Sequence, residues 1–521
     1  MGSSPLAFIL LALLASWGGP PGCDGGNVLV FPVDGSHWIN MKVLLEELHQ
    51  RGHQLTVIRA ANSVYVAQSS PLYTAVTIDV AGTWQEFFEF MEELITNLRQ
   101  GRTMHREFAN FIYKAHSTWG DAISEFLDDE RRVQSLRDSR FDLVLTDPAI
   151  APGVILAKYL DLPLVLNVRW IQAGEGHMAM APSPLSYVPM PGSGLTDKMN
   201  FLQRVKNVFF YVMITLQQKI LIDPIYSAIC RKHFPGGCDI NSLLRQADVW
   251  LFRTDFVFDF PRPTMPNVVY IGGFQCRDAR PLPAHLEDFV QSAGEHGVII
   301  MSLGSLVNAM PERDAEELAA VFARLPQKVI WRHKGPRPST LGNNTLVVEW
   351  MPQKDLLGHP QTKVFVAHGG TNGLQEAIFY GVPVLGIPLF FDQFDNLVRL
   401  EQRGAAKILE LGDLSQGFEA SLKEVLSHDS YRRNIRKLSE LHRDQPMRPM
   451  DRAVFWVEYV MRHEGAPHLR TQAYEMPWYA YYGVDVALLL AAIVIAPVLS
   501  AVVLARFFCC KKTRKNKAKR Q

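Results

Sequence analysis

Short β-branched or aliphatic runs along the chain alternate with stretches in which apolar residues return every three or four positions. Residues 27–33 (NVLVFPV) read as a strand, the loop DGSHW follows, and residues 39–49 place Leu44, Leu45 and Leu48 on one helical stripe. Gly52 closes that helix, and residues 54–59 (QLTVIR) are the next strand. This strand–helix–strand unit favours a parallel, doubly wound sheet. Strands at 141–146 (FDLVLT, ending on Asp147), 164–168, 247–253 and 268–271 extend it, with a helix at 153–160. Residues 280–283 (RPLP) read as a linker. A second series then begins, with strands at 297–301, 328–332, 345–349, 363–367 and 382–389 and helices at 314–324 and after Thr371. Two consecutive α/β series of similar size predict two Rossmann-like domains facing one another across a cleft, spanning 24–280 and 281–470.

Other stretches break this rhythm. Residues 83–94 (TWQEFFEFMEEL) set aromatics beside acids on a helical pattern, readable as a packing helix or as an apolar wall for an acceptor molecule. Residues 201–221 are strongly apolar but interrupted by Arg204, Lys206 and Lys219, which leaves two readings open, a buried helix and a helix lying in a membrane interface. The first apolar run, 6–17, is too short to span a bilayer and suits a cleaved leader over 1–23, although no Lys or Arg precedes it. Residues 486–505 are about 20 nearly pure hydrocarbon positions, enough for one transmembrane helix, here taken as 484–506. The basic tail 507–521 should then be cytosolic and everything before the span lumenal or extracellular.

Charge adds one exclusion. The tail from Lys511 carries seven of the 53 Lys and Arg residues and no acid, so removing those seven charges from the formal net of +1 leaves the remainder at −6. No basic face argues for nucleic acid. Lys517 and Lys519, near the carboxyl end, resemble a dilysine retrieval signal of endoplasmic-reticulum membrane proteins. Cys509 and Cys510 sit at the membrane edge, where acylation is an alternative to no role. Six cysteines without regular spacing form neither a disulfide framework nor a zinc site. Cys230 and Cys238 flank RKHFPGG, and the sequence leaves their pairing open.

The chemistry concentrates in residues 365–396 (FVAHGGTNGLQEAIFYGVPVLGIPLFFDQFDN). A strand feeds a helix through bare Gly369-Gly370, with Thr371 and Asn372 as expected caps, leaving free N–H groups and a positive dipole end for a diphosphate. Glu376 and Asp392, the latter in a polar loop, repel phosphate but accept bonds from sugar hydroxyls, so the stretch implies a nucleotide sugar. In the first domain, His37 follows the first strand and Asp147 ends a later one. Ligands of open α/β sheets bind along that rim, so the two are placed to meet as a base with a carboxylate behind it. Each taken singly also reads as structural.

The run GSHWINMKVLLEELHQRGH, the segments FDLVLTD and VIWR, WMPQKDLLGHP, HGGTNG…E…P…DQ and MRHEGAPHLR before a lone hydrophobic helix together resemble the vertebrate UDP-glucuronosyltransferases over nearly the whole chain. The resemblance implies the GT-B fold and a UDP-sugar co-substrate, with no cofactor and no metal. It implies uracil against Trp350 with Gln353, ribose on Glu376, Arg332 in the same wall, and diphosphate on His368, Gly370, Thr371 and Asn372 with Ser305 opposite. Asp392 and Gln393 would take the sugar, His37 the acceptor proton with Asp147 holding it, and Arg253 matches a position suspected of meeting the glucuronate carboxylate, or else an interdomain ion pair. Small lipophilic acceptors, a membrane, and association with itself or related transferases are the implied partners.

Phe394 stands where the family commonly has proline, which predicts a more flexible loop and leaves UDP-glucose, UDP-xylose or UDP-N-acetylglucosamine as alternative donors. A fold that binds nucleotide sugar without catalysis is the reading from another class. Asn343-Asn344-Thr345 is the only N-glycosylation sequon, and it falls in the expected lumenal part.

Overall fold

The computed structural model describes residues 25–102, 104–171, 174–305, 307 and 310–518. The expected leader at 1–23 and Lys519 lie outside the described residues, as do the side chains of Cys509, Cys510 and Lys517. Residues 25–469 and 470–518 are separate compact units.

In the first unit, seven parallel strands lie in the order β3-β2-β1-β4-β5-β6-β7: β1 (Asn27–Phe31), β2 (Gln54–Ala60), β3 (Thr74–Ile78), β4 (Leu143–Thr146), β5 (Leu164–Val168), β6 (Val249–Phe252) and β7 (Val268–Tyr270). β4, β5 and β6 are buried along their whole lengths, as continuous apolar runs in a sheet covered on both faces must be. Phe31 registers with Thr146, and Val168 with Phe252. The residues just past these ends, His37, Asp147, Arg169 and Arg253, therefore share one rim.

Helix α1 (Ser36–Gln50) follows β1, and α2 (Trp84–Arg99) and α3 (His105–Asp128) follow β3. α2 is a packing helix in a particular sense. Ile95 belongs to the core of the second domain, with Leu98 packed against that core, while Phe87 and Phe90 pack with Met91 and Leu94. Arg99 donates to Asp314 at 3.0 Å and to the Gly412 carbonyl at 2.9 Å, both in the second domain. α4 (Phe201–Gln217) runs through a π-helical turn, Gln218–Ile222, into α5 (Asp223–His233). Only Asn207 is buried along α4, and Leu202 is 75% and Phe209 59% exposed, so the buried-helix alternative for 201–221 falls. Cys230 and Cys238 form a disulfide.

Six more parallel strands make the second sheet, in the order β10-β9-β8-β11-β12-β13: β8 (Val298–Ser302), β9 (Lys328–Arg332), β10 (Thr345–Val348), β11 (Thr362–Ala367), β12 (Val384–Gly386) and β13 (Ala406–Ile408). The strand expected over 382–389 contracts to three residues. Pro383 and Pro388 flank it, and neither can donate to the ladder.

Helix α6 (Thr371–Tyr380) follows β11, and α7 (Gln393–Glu401) follows β12. Two expectations are corrected here. Gly370, not Thr371 or Asn372, is the N-cap of α6, and no side chain caps it. Asn372 Nδ2 instead donates to the Ser36 carbonyl of the first domain at 3.3 Å. The polar run after Phe391 is not a flexible loop but the start of α7, with Phe394 in its first turn. Proline is tolerated in a first turn, which has orphan N–H groups in any case. Phenylalanine there reaches across the cleft: a Cβ on Gly194 would lie 2.7 Å from the Phe394 ring. Asp395 accepts from the N–H groups of Gly192 and Gly194 at 2.6 and 2.9 Å.

The chain then returns. Helix α8 (Pro449–Arg462) lies in the second half of the sequence, yet Ala453, Val454, Val457 and Val460 complete the core of the first sheet with Val28, Leu48 and Leu251. Asp248 fixes the return by accepting from Leu164 N–H at 3.0 Å and Ala466 N–H at 2.8 Å. Taken by itself, the second unit contains α9 (Val484–Ala518), within which Val484–Phe508 is long and apolar enough to cross a membrane, with Pro497 inside it. Val457→Asp, which places a charge in a fully buried site of the first domain, is expected to lower stability by about 3–5 kcal/mol. Thermal inactivation of the full chain in membranes checks it.

Candidate active site

The first wall is built on the shared rim. His37 occupies the second position of α1, and its Nδ1 lies 2.7 Å from Asp147 Oδ2. Asp147 has no solvent exposure, so its charge must be matched internally. The match comes from His37, from Arg253 Nη2 at 3.1 Å and from the Ala149 N–H at 3.1 Å. Burial alone would raise the Asp147 carboxyl, but these partners hold it below its usual range. With a proton on Nδ1 donated to Asp147, His37 keeps Nε2 free; Arg253 Nη2 also lies 3.2 Å from Nδ1. Burial also holds the His37 pKa below its usual value, the pull of Asp147 being outweighed with help from Arg253 and Arg169. His37 is therefore held in its neutral form at neutral pH.

The second wall holds a cradle. Gly304 (φ +81°) and Gly370 both press on the His368 imidazole, since a Cβ at either would come within 2.6 Å of it. Burial lowers His368 to about 4, so it is a neutral donor or acceptor. His368 Nδ1, Ser305 Oγ, and Nε and Nη2 of Arg332 are buried without hydrogen-bond partners among the described residues. Four orphaned polar atoms on one concave surface fit a multiply charged anion. Arg332 also lies 5.4 Å from the centre of the Trp350 ring, which is 61% exposed and offers a face for stacking. Gln353 Nε2 donates to Glu376 at 2.7 Å, and burial raises the Glu376 carboxyl despite Lys354 and Gln353.

At the other end of the cradle, Asp392 accepts from Asn396 Nδ2 at 2.7 Å and from Thr371 Oγ1 at 3.5 Å. The Gln393 side-chain Oε1 accepts from the N–H groups of Leu389 and Phe390 at 2.8 and 3.1 Å. Arg169 crosses from the first domain to pair with Asp392. Burial and Arg399 bring Arg169 down to about 9, still a cation at neutral pH. Beside the base, Trp170 lies 5.0 Å from the His37 ring and 5.8 Å from Phe391. Phe108 continues the series 5.4 Å from Phe391, giving an apolar wall next to a base.

These surfaces enclose a cleft of about 420 Å³. It brings together His37, Arg253, Ser305, Arg332, Trp350, Gln353, His368, Gly370, Thr371, Asn372, Glu376, Asp392 and Gln393, with Asp147 behind His37. Arg253 is bound inside the first domain, to Asp147 and to Asn40 Oδ1 at 3.3 Å. Asn343 is exposed ahead of β10. Sequence reasoning missed Arg169 and Asn396. A cation directly after a central strand was the available signal for the first; the second reads as an ordinary helix residue. A larger groove of about 700 Å³ lies between residues 194–203 and the Phe394–Asp413 region, but it contains neither base nor cradle. Gly370→Ala, whose Cβ would meet His368 Nε2 at 2.4 Å, is expected to displace the ring and weaken UDP binding about tenfold, read by titration calorimetry.

The chain matches the family described as UDP-glucoronosyl and UDP-glucosyl transferase over residues 26–520. It is 41% identical over 506 residues to UDP-glucuronosyltransferase 1-2 of Rattus norvegicus, covering 95% of this chain and 92% of that one. Identity to UDP-glucuronosyltransferase 1A1 of Homo sapiens is 40% over 510 residues, 96% of this chain and 94% of the relative. Among solved structures, the glycosyltransferase of kitacinnamycin superposes with a TM-score of 0.57 at 18% identity, covering 84% of this chain and 99% of its own. SnogD of Streptomyces nogalater gives 0.52 at 18%, with the same coverage. The structural likenesses establish the GT-B fold of two facing parallel-sheet domains, and the family match together with relatives near 40% identity over the whole chain makes this protein a member of the UDP-glucuronosyl and UDP-glucosyl transferase family.

Proposed function

We propose that the protein transfers glucuronic acid from UDP-glucuronate to a hydroxyl or amine of small lipophilic acceptors, with inversion at the anomeric carbon. The observation that carries this reading is the His37–Asp147 contact of 2.7 Å on the wall facing the glycine cradle. The names of the relatives favour glucuronate as the sugar. Uracil stacks on Trp350 beside Arg332, with Gln353 holding the nucleoside. Glu376 accepts from the ribose hydroxyls, and the diphosphate meets His368, Ser305 and the first N–H groups of α6. Asp392 and Gln393 hold the sugar.

The acceptor rests against Trp170 and the neighbouring phenylalanines. Its oxygen or nitrogen attacks the anomeric carbon from the face opposite UDP while His37 Nε2 takes its proton. The bond to the diphosphate oxygen breaks with both electrons, and the cradle stabilises the charge that develops there. Asp147 keeps His37 in the productive tautomer and stabilises the imidazolium. The rest of the cell-level reading follows from the chain's ends: α9 spans the endoplasmic-reticulum membrane, the two domains are lumenal, and the basic tail is cytosolic. Association with itself or related transferases belongs to the same reading.

His37→Ala is expected to lower kcat by about 10²–10⁴-fold with UDP affinity retained. Asp147→Asn is the better second variant, because its amide oxygen still accepts from the buried Arg253, whereas Asp147→Ala leaves that cation neither a carboxylate nor an acceptor at this position. Wild-type turnover in folded His37→Ala protein overturns the mechanism. With the His37 pKa held below 6.5, log kcat/KM should be flat near pH 7 and fall only below that depressed value, as the base becomes protonated. Glycosidase treatment should increase gel mobility, and Asn343→Gln should abolish that change, which together support lumenal placement of the domain that carries Asn343.

A further inference from the structure

The wall that carries the base has two arginines with different employment. Arg253 is bound within the first domain by Asp147 and Asn40. Arg169 follows β5 directly and extends across the cleft, where Nη2 pairs with Asp392 and donates to Asn396 Oδ1 at 2.9 Å. Both contacts use Nη2. Among the described residues Nη1 and Nε have no hydrogen-bond partner, and Asp392 has no other ion-pair partner. Arg169 is thus a mostly buried cation in the cleft with its Nη1 and Nε donors uncommitted, opposite Asp392 and Gln393.

A neutral hexose and a uronate make different demands on that place. Asp392 accepts hydroxyls of either, but a uronate brings a second carboxylate to the same confined end, where two like charges repel strongly. A guanidinium that already neutralises Asp392 through Nη2 and keeps N–H donors on Nη1 and Nε is the group suited to a second carboxylate, which it meets with charge-assisted hydrogen bonds. Asn396 Nδ2 remains on Asp392 at 2.7 Å, so Asp392 stays partnered when Arg169 turns toward the sugar.

We propose that Arg169 is the donor-selecting residue: its guanidinium receives the carboxylate of the uronate sugar while bridging to Asp392, and it favours UDP-glucuronate over neutral UDP-sugars. This rests on the donor reading given under the proposed function. The rival role is a latch between domains, in which Arg169 only holds the cleft closed on any donor.

The test uses full-chain protein in membranes and measures the affinities of UDP-glucuronate, UDP-glucose and UDP by competition, for wild type, Arg169→Gln and Arg169→Lys. Arg169→Gln is expected to weaken UDP-glucuronate tenfold or more while UDP-glucose and UDP stay within threefold. Arg169→Lys, which keeps the charge and loses the fork, should fall between. In turnover the loss with UDP-glucuronate should appear in KM more than in kcat. Parallel weakening of all three ligands, or an unchanged ratio between the two sugars, overturns the assignment and leaves the donor reading standing. Wild-type protein that binds and uses UDP-glucose in preference to UDP-glucuronate overturns the donor reading, and this assignment with it.

Discussion

Asp147 is a carboxylate with no access to water, and the first-domain wall is arranged around that fact. A buried charge without partners costs several kcal/mol. Here the partners come from three places in the sequence: a histidine at the start of α1, an arginine after β6 and the backbone of the following turn. One oxygen serves both His37 and Arg253. The same arrangement that makes the carboxylate tolerable also holds the His37 ring in place on the cleft wall, so one set of contacts serves both burial and the position of the side chain.

The cleft depends equally on parts that cross between domains. Ile95 of α2 sits in the second domain's core, α8 completes the first domain's core from the far end of the chain, and Asp395 and Phe394 grip the 192–194 loop. Tyr65 Oη donates to the Ser305 carbonyl at 2.9 Å beside the anion cradle. The two walls are therefore held in register by contacts at several points around the site, not by the linker alone.

Much of this was legible in the sequence because parallel-sheet strands are apolar along their whole length and bounded by glycine, proline or acid. FDLVLTD and KVFVAHGG carry their strands and their functional ends in the same few residues. Two of the four edge strands, β3 and β13, escaped. Thr74–Ile78 is largely half-buried, and Ala406–Ile408 has three residues, too few for a period to declare itself. The cap of α6 was misplaced because Thr371 and Asn372 have the right chemistry for capping but are used for cleft contacts. For Arg169 the sequence offered only its place directly after a central strand; its partner Asp392 lies more than two hundred residues away, and pairings at that range leave no local pattern.

The return of α8 carries a consequence for how this chain can be recombined. A cut at the linker near residue 280 looks like the seam between two modules, and it is the natural place to exchange N-terminal halves between relatives. The seam in space is elsewhere. A graft joined there receives a foreign sheet against the resident Val454 and Val457, and a foreign segment where Leu164 and Asp248 meet Ala466. Functional exchange at that junction therefore requires residues 449–466 to travel with the first half, so the smallest self-consistent first domain is discontinuous in sequence.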